Sequence, residues 1–174
     1  PTTWGPVDMT ADAAGNVYVL LQQVGVTPLR RGTPRLVRFA PDGAMTWLVD
    51  TDATWFGQPF SVEKANRIYQ TSGFAADRAG NLYFAVSGLF GHTYEAGMEI
   101  SAGGPAILKI TPAGDVSVLA GSEGAQTGAM TDGTGSAARF LYPRIQGVDY
   151  DGNVYVLDKN DTPRKVTPAG VVTT

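Results

Sequence analysis

The sequence predicts an all-β fold built from three copies of one four-stranded sheet. Three observations predict it: a turn motif occurs three times, a second tight turn follows each copy, and the runs between turns are short and rich in strand-forming residues. The first motif, Asp-x-x-Gly-Asn-apolar-Tyr-apolar, starts at Asp12, Asp77 and Asp149. The second, Pro-x-Gly, starts at Pro41, Pro112 and Pro168.

Each motif has the chemistry of a hairpin turn. In Asp-x-x-Gly-Asn the aspartate side chain can bond its own backbone, and glycine can adopt the left-handed conformation. In Pro-x-Gly, proline presets φ and glycine supplies a positive φ. We therefore expect Gly15, Gly80 and Gly152 to occupy left-handed turn positions.

Both faces of the strands are apolar. Val17, Val19 and Leu21 share one face of the first copy, and Tyr18 and Leu20 share the other. Such a sheet must be covered on both sides, and a radial β-propeller of stacked four-stranded blades meets that demand. The interpretation places the motif tyrosines in the core: Tyr18, Tyr83 and Tyr155.

Residues 1–174 are interpreted as one propeller domain, which the repeat copies divide into blades and connectors. The predicted units are blade 1 over residues 6–50, a connector over 51–70, blade 2 over 71–121, a connector over 122–142, and blade 3 over 143–174. Within the first connector the pattern of residues 62–69 fits either a short helix or an extra strand. Residues 136–140 are expected to form one helical turn, with Phe140 filling the seam between two blades.

The long segments are expected at one end of the blades. In an up-and-down sheet, second-to-third loops and blade connections share an end, and the long segments 22–34, 51–70, 87–105 and 122–142 all belong to it. Ligand sites favour long loops on a rigid scaffold. The predicted ligand-binding residues are therefore loop residues: Arg30, Arg31, His92, Tyr94 and Glu95. The alternative is that the lengths of these loops vary for no functional reason.

No catalytic residue, metal site or cofactor is predicted. Cysteine is absent, and His92 is the only histidine, so disulfides, thiolates and multi-imidazole metal sites cannot be assembled from this chain. Asp158, Asn160 and Asp161 offer oxygen atoms to calcium, but Asn and Asp are also ordinary turn residues, so calcium remains an alternative. Residues 132–136 are interpreted as a glycine-rich connector and not as a phosphate loop.

Composition narrows the classes of partner. The formal net charge is −3, which gives no electrostatic case for nucleic acid. No run approaches the ~18 apolar residues of a membrane span. The expected partner is therefore a protein, a glycan or another copy of the chain.

The third copy resembles the NHL-repeat family of β-propellers, in particular its bacterial secreted members. The resemblance is carried by Pro143, Asp149, Gly152, Asn153, Tyr155, Asp158, Lys165, Pro168 and Gly170. Asn160-Asp161 stands where the family usually has Asn-His. The resemblance implies a six-bladed ring, so further blades in the same polypeptide or a second chain would close it, and it implies an extracytoplasmic location.

Fold alone does not decide function. The favoured hypothesis is a binding or structural module, not an enzyme, that presents its long loops to a protein, glycan or self partner. The alternative is a propeller lyase or lactonase whose remaining site residues lie outside this segment.

Overall fold

The computed structural model describes residues 3–24, 35–49, 54–55, 58–59, 71–86, 104–121 and 129–174. These residues form an all-β structure of three antiparallel sheets, as the repeat predicts. None of them belongs to a helix with the length and hydropathy needed to cross a membrane.

With one exception in the third sheet, strands that follow one another in the sequence are neighbours. The first contains β1 (Thr3–Ala11), β2 (Val17–Val24), β3 (Arg35–Phe39), β4 (Met45–Val49), β5 (Thr54–Trp55) and β6 (Gln58–Pro59). The second contains β7 (Thr71–Ala76), β8 (Leu82–Val86), β9 (Ala106–Ile110) and β10 (Val116–Gly121). The third contains β12 (Arg144–Val148), β13 (Val154–Asp158), β14 (Thr162–Val166) and β15 (Val171–Thr173), with β11 (Gly133–Thr134) added at its edge.

Among the described residues, the prediction of four strands per sheet is therefore correct only for the second sheet. In the first, β5 pairs with β4 and β6 pairs with β5, which raises the number of strands to six. In the third, β11 comes from the preceding connector and pairs with β15. The physical reason is the same in both: a fourth strand leaves unpaired backbone groups, and nearby connector residues satisfy some of them.

The turn glycines have the predicted conformation. The φ angles of Gly15, Gly80 and Gly152 are 84°, 78° and 80°. In each turn the backbone N–H of the glycine donates to the carbonyl of the motif aspartate at 3.1 Å. The left-handed residue thus closes the first hairpin of each sheet.

The sheets pack face to face through two apolar clusters. The first cluster joins the first and second sheets and includes Tyr18, Leu36 and Phe84. The second joins the second and third sheets and includes Tyr83 and Val156. Only the second sheet is covered on both faces by described residues.

The first strands of successive sheets lie side by side. The backbone N–H groups of Phe74 and Ala76 donate to the side-chain oxygens of Asp8 and Thr10, at 3.0 and 3.2 Å. The order of these pairs shows that β1 and β7 run in the same direction. On its other side β7 lies against β12: a Cβ added at Gly73 would meet a β12 backbone oxygen at 2.9 Å.

Two expectations about aromatic residues have different outcomes. Phe140 is 2% exposed in the cluster between the second and third sheets, as predicted. The helical turn expected over residues 136–140 is instead a 3₁₀ turn at Gly135–Ala137, and Ala138 after it is extended. Tyr155 is 44% exposed, so the prediction that all three motif tyrosines are core residues is wrong for the third. Tyr18 and Tyr83 are covered by the next sheet, whereas no described sheet covers the outer face of the third.

We predict that Gly152→Val lowers the free energy of unfolding by more than about 1 kcal/mol, because a β-branched residue resists positive φ. The new Cβ would also lie 3.3 Å from Pro168 Cγ. The measurement is urea unfolding followed by circular dichroism. Gly147→Ala is the control, since its Cβ meets no atom within 4 Å and its φ is not positive. Equal stability losses in the two variants would contradict the prediction.

Candidate functional site

The polar groups that recur in the repeat form the same closed turn in each copy. Asp12 Oδ1 accepts hydrogen bonds from the backbone N–H groups of Ala14 and Asn16, at 3.0 and 2.9 Å. Asp12 Oδ2 accepts from Asn16 Nδ2 at 2.7 Å and from the Tyr18 hydroxyl at 2.9 Å. The same four bonds surround Asp77 and Asp149. The carboxylates of these three aspartates therefore have a structural role.

The electrostatics of the turn follow from these bonds. The hydrogen bond from Asn153 is the main reason that the pKa of Asp149 lies below its ordinary value of 3.8. At Asp12 burial opposes ionisation, but the combined hydrogen bonds from Asn16, Tyr18 and Ala14 still lower the pKa. Burial and the Asp12 carboxylate raise the pKa of Tyr18 to about 12. The tyrosine therefore stays a neutral hydrogen-bond donor at physiological pH and does not act as a base.

The first hairpin turns gather at one end of the stack. A Cβ at Gly80 would lie 3.6 Å from the Tyr18 hydroxyl of the preceding sheet. The Arg78 guanidinium lies 4.7 Å from the centre of the Tyr150 ring, which belongs to the corresponding turn of the third sheet. The connections from second to third strands consequently leave from the opposite end.

The ladders between second and third strands are equal in the three sheets. Within the described residues each has five residue pairs, which occupy the same positions of the repeat. The last of these pairs are Leu21 with Arg35, Val86 with Ala106, and Asp158 with Thr162. The connections beyond them are very unequal: residues 22–34, 87–105 and 159–161. The copies thus share these five pairs and differ in the length of the chain that joins the two strands beyond them.

A buried ion pair occupies the end of the third ladder. Arg164 donates from Nη1 to Asp158 Oδ2 at 3.1 Å and from Nη2 to Asp132 Oδ1 at 2.8 Å. The side chains of Arg164 and Asp158 are fully buried. Arg164 also donates to the backbone carbonyls of Arg139 and Thr131, at 2.6 and 2.8 Å. The guanidinium therefore fastens the connector before β12 onto the third sheet.

Asp158 also binds the connector that precedes β12. Its Oδ1 accepts from the backbone N–H groups of Leu141, Tyr142 and Lys159, at 3.0, 2.8 and 2.9 Å. The hydrogen bond from Arg164 is the main reason that the pKa of Asp132 lies below its ordinary value. All of these partners belong to the protein, so the network is structural.

Sequence reasoning missed this network, although a signal for it exists. In the repeat, Arg164 occupies the position of Val37 and Leu108, and Asp158 the position of Leu21 and Val86. Two apolar positions on one face of neighbouring strands thus carry opposite charges in the same copy. Considered together, Asp158 and Arg164 predict an ion pair. Considered alone, Arg164 is only a weaker match to the repeat.

The residues expected to offer ligands to calcium are engaged in other contacts. Asp158 is bound by Arg164, and Asp161 forms a short ion pair with Arg144. Calcium at Asp158 would have to displace a buried guanidinium. Within the described ranges no group of three or more His, Cys, Asp and Glu residues could hold a metal ion.

The glycine-rich connector at residues 132–136 is also engaged within the fold. Asp132 accepts from the backbone N–H and hydroxyl of Thr174, at 3.0 and 2.8 Å, and Gly133 pairs with Val172 in the third sheet. The Gly135 N–H donates to the carbonyl of Gly170 at 2.9 Å. These contacts fix the edge of the sheet.

The predicted ligand-binding residues Arg30, Arg31, His92, Tyr94 and Glu95 lie outside the described residues. So do residues 62–69, for which the sequence left helix and strand open. The structure therefore shows the ends from which the long connections leave, and their proposed binding role stays a prediction.

Comparison with known proteins supports the fold and nothing more. No protein-family model matches the chain, and no curated protein matches it. Among solved structures, it is similar to a structural genomics protein of unknown function from Bacteroides thetaiotaomicron, with a TM-score of 0.56 and 20% sequence identity. The similarity covers 97% of this chain and 35% of the other, so the chain spans about a third of that protein's length.

We predict that Arg164→Leu costs about 3–5 kcal/mol of stability, because it leaves a buried carboxylate without its charge partner. Adding Asp158→Val, which restores an apolar residue of the type found in the second sheet, should recover part of that loss. Recovery should be incomplete, since the N–H groups of Leu141 and Tyr142 still lose their acceptor.

The measurement for the ion pair is a double-mutant cycle by urea unfolding. Lys165→Met is the control, because Lys165 is exposed on the neighbouring position of β14. If Arg164→Leu is as stable as this control, the ion pair contributes nothing to the stability of the fold.

We also predict that the Asp149 turn makes stability depend on acid pH. Folding lowers the pKa of Asp149, so the ionised side chain stabilises the fold above its ordinary pKa of 3.8. This stabilisation is lost as pH falls through the lower pKa of the folded state. Asp149→Asn should therefore be less stable than wild type at neutral pH, with the difference shrinking towards about pH 2. Urea midpoints across this range measure it, with Asp151→Asn as the control for charge; parallel curves for Asp149→Asn and wild type would refute it.

Proposed function

We propose that this chain is a segment of an NHL-type β-propeller that acts as a non-enzymatic binding module, with its ligand held by the long connections between second and third strands. The observation that carries the proposal is the contrast between equal ladders and unequal connections. All three sheets have the same five described pairs between their second and third strands, whereas the chain beyond these pairs is 13, 19 and 3 residues long. A scaffold that keeps its sheets constant while the connections vary is typical of proteins that bind through loops.

The propeller interpretation is supported by the stacking of the sheets. Each interface uses the same positions of the repeat, with the motif tyrosine of one sheet packed towards the next. The first strands β1, β7 and β12 lie next to one another, as the inner strands of blades do.

Ligand recognition by the connections is supported by the polar residues of the repeat, because these residues are already used within the fold. The motif aspartates and asparagines use their oxygens and amides within their own turns. The two longest second-to-third connections contain Arg30, Arg31, His92, Tyr94 and Glu95. Arginine and tyrosine are the residue types that contribute most at binding surfaces, and aromatic rings with carboxylates also suit sugars. The proposed ligand is a protein or a glycan, met outside the cytoplasm.

The test exchanges one connection for another. We replace residues 87–105 by Lys-Asn-Asp, the connection of the third sheet, which joins the equivalent pair of positions. The variant is expected to unfold cooperatively, with a free energy of unfolding within about 2 kcal/mol of wild type, since loop length contributes little. Circular dichroism in urea measures this outcome, and loss of cooperative unfolding would show that the segment belongs to the core.

Binding is then measured with probes selected on the wild-type chain from a peptide display library and a glycan array. The proposal expects the shortened variant to lose at least about tenfold in affinity, or 1.4 kcal/mol. Ala113→Lys is the control, because it adds a charge to the Pro-x-Gly turn at the opposite end and should leave affinity unchanged. Probes that bind the shortened variant as tightly as wild type, or an empty selection, would contradict the proposal.

A further inference from the structure

The connection between β13 and β14 has a backbone conformation that its residue types do not favour. Asn160 and Asp161 have φ angles of 58° and 56°, whereas every other described residue with a positive φ is a glycine. The N–H of Thr162 donates to the carbonyl of Lys159, so Asn160 and Asp161 are the two central residues of a tight turn. Two positive φ angles at these positions define a type I′ turn, whose preferred sequence is Asn-Gly. Asp161 therefore occupies the position at which glycine is favoured.

The stability of the fold does not explain Asp161. The left-handed conformation is unfavourable for a residue with a Cβ, although Asn and Asp tolerate it better than most. The Asp161 carboxylate forms an ion pair with Arg144, and the two side chains are 73% and 53% exposed. Ion pairs as exposed as this one contribute little to stability. Because strained backbone is typical of functional sites, the Asp161 side chain indicates a role in recognition.

A tyrosine belongs to the same exposed surface, and a buried carboxylate fixes its position. Burial alternates along residues 142–145, so Tyr142 and Arg144 are both exposed and the proline between them is buried. The backbone N–H groups of Tyr142 and Lys159 donate to the same atom, Asp158 Oδ1, at 2.8 and 2.9 Å. Asp158 thus holds the start of the turn beside the segment that carries the tyrosine. Such buried support gives the groups of a binding site a defined geometry before the ligand arrives.

We propose that Tyr142, Arg144, Asn160 and Asp161 form a subsite for a neutral carbohydrate at the connection end of the third sheet. The inference rests on the proposed binding function and narrows its ligand class to a glycan. Asp161 can accept hydrogen bonds from sugar hydroxyls, and Arg144 can donate to them, so two adjacent hydroxyls of one sugar match the two members of the ion pair.

The other two residues fit the same ligand. The ring of Tyr142 offers an apolar face to the C–H groups of a sugar, and the Asn160 amide has both donors and an acceptor for a further hydroxyl. An acidic sugar fits less well, because the Asp161 carboxylate repels its negative charge and already occupies the Arg144 guanidinium. The subsite therefore selects hydroxyl groups over carboxylate or sulfate groups.

The Asp161→Gly variant separates recognition from folding. Glycine adopts a positive φ without strain, so the urea midpoint of this variant is expected to be at least as high as that of wild type. Its affinity for a neutral oligosaccharide is expected to fall at least about tenfold. The 174-residue chain is first screened on an array of neutral and acidic glycans, and titration calorimetry then measures its affinity for the neutral oligosaccharide that binds most strongly. Arg144→Met should lose affinity to a similar extent.

Asp151→Asn is the matched control, because it removes an exposed carboxylate from the first hairpin turn of the same sheet, at the opposite end. It should bind the oligosaccharide as wild type does. A urea midpoint of Asp161→Gly below that of wild type would show that Asp161 serves the fold and would overturn the proposal. Unchanged affinity in Asp161→Gly would also overturn it, as would binding restricted to acidic glycans or no glycan binding by wild type.

The variant in which Lys-Asn-Asp replaces residues 87–105 distinguishes this subsite from the proposed role of the long connections. If that variant loses the oligosaccharide and Asp161→Gly keeps it, the long connections bind the ligand and the subsite does not exist. If Asp161→Gly loses the oligosaccharide and the shortened variant keeps it, the subsite is supported and the role of the long connections fails. Loss in both variants supports the two proposals together.

Discussion

A sheet with two apolar faces can be stable only if something covers both of them, and this constraint organises the whole structure. The second sheet satisfies it completely: Phe84 and Ile107 point to opposite sides and are both fully buried. Described residues cover the first and third sheets on the side that faces the second sheet. The stacking direction follows from the same constraint, because each sheet offers its tyrosine side to the next. A single sheet of this sequence would expose apolar surface on both sides, so the fold exists only as a stack.

The aspartate turn makes that stacking repeatable. One carboxylate orders two backbone N–H groups, the asparagine amide and the tyrosine hydroxyl, as in Asp12, Asn16 and Tyr18. The bond to the hydroxyl satisfies the one polar atom that the tyrosine takes into the interface. An aromatic residue can therefore stand at the centre of the sheet interface without an unsatisfied polar group. The turn and the packing thus use the same side chain, which explains why Asp, Gly, Asn and Tyr recur together.

The sequence predicted the features that depend on local chemistry. The positions of the turns, the left-handed glycines and the division into β-hairpins follow from residues a few positions apart. Features that depend on contacts between distant segments were not predicted: the addition of β11 to the third sheet, the exposure of Tyr155, and the Arg164 network, whose carbonyl acceptor Thr131 lies 33 positions away. The candidate ligand-binding residues were chosen from loop length, and the described residues leave that choice untested. Loop length carries information about where a ligand can bind, but none about which side chains meet it.

The buried ion pair shows how the repeat tolerates polar change. Arg164 and Asp158 replace apolar residues, yet they lie at the end of the sheet where the connector from the second sheet arrives. An apolar pair there would pack against the sheet but would leave the connector's N–H and carbonyl groups unsatisfied. The charged pair packs its guanidinium on the Phe140 ring, 4.7 Å from its centre, and also binds those backbone groups. Burying the charges is costly in itself, so their benefit lies in the position that they give to the connector. Among the described residues, the third sheet, which has the shortest second-to-third connection, thus uses the end of its ladder to hold another part of the scaffold.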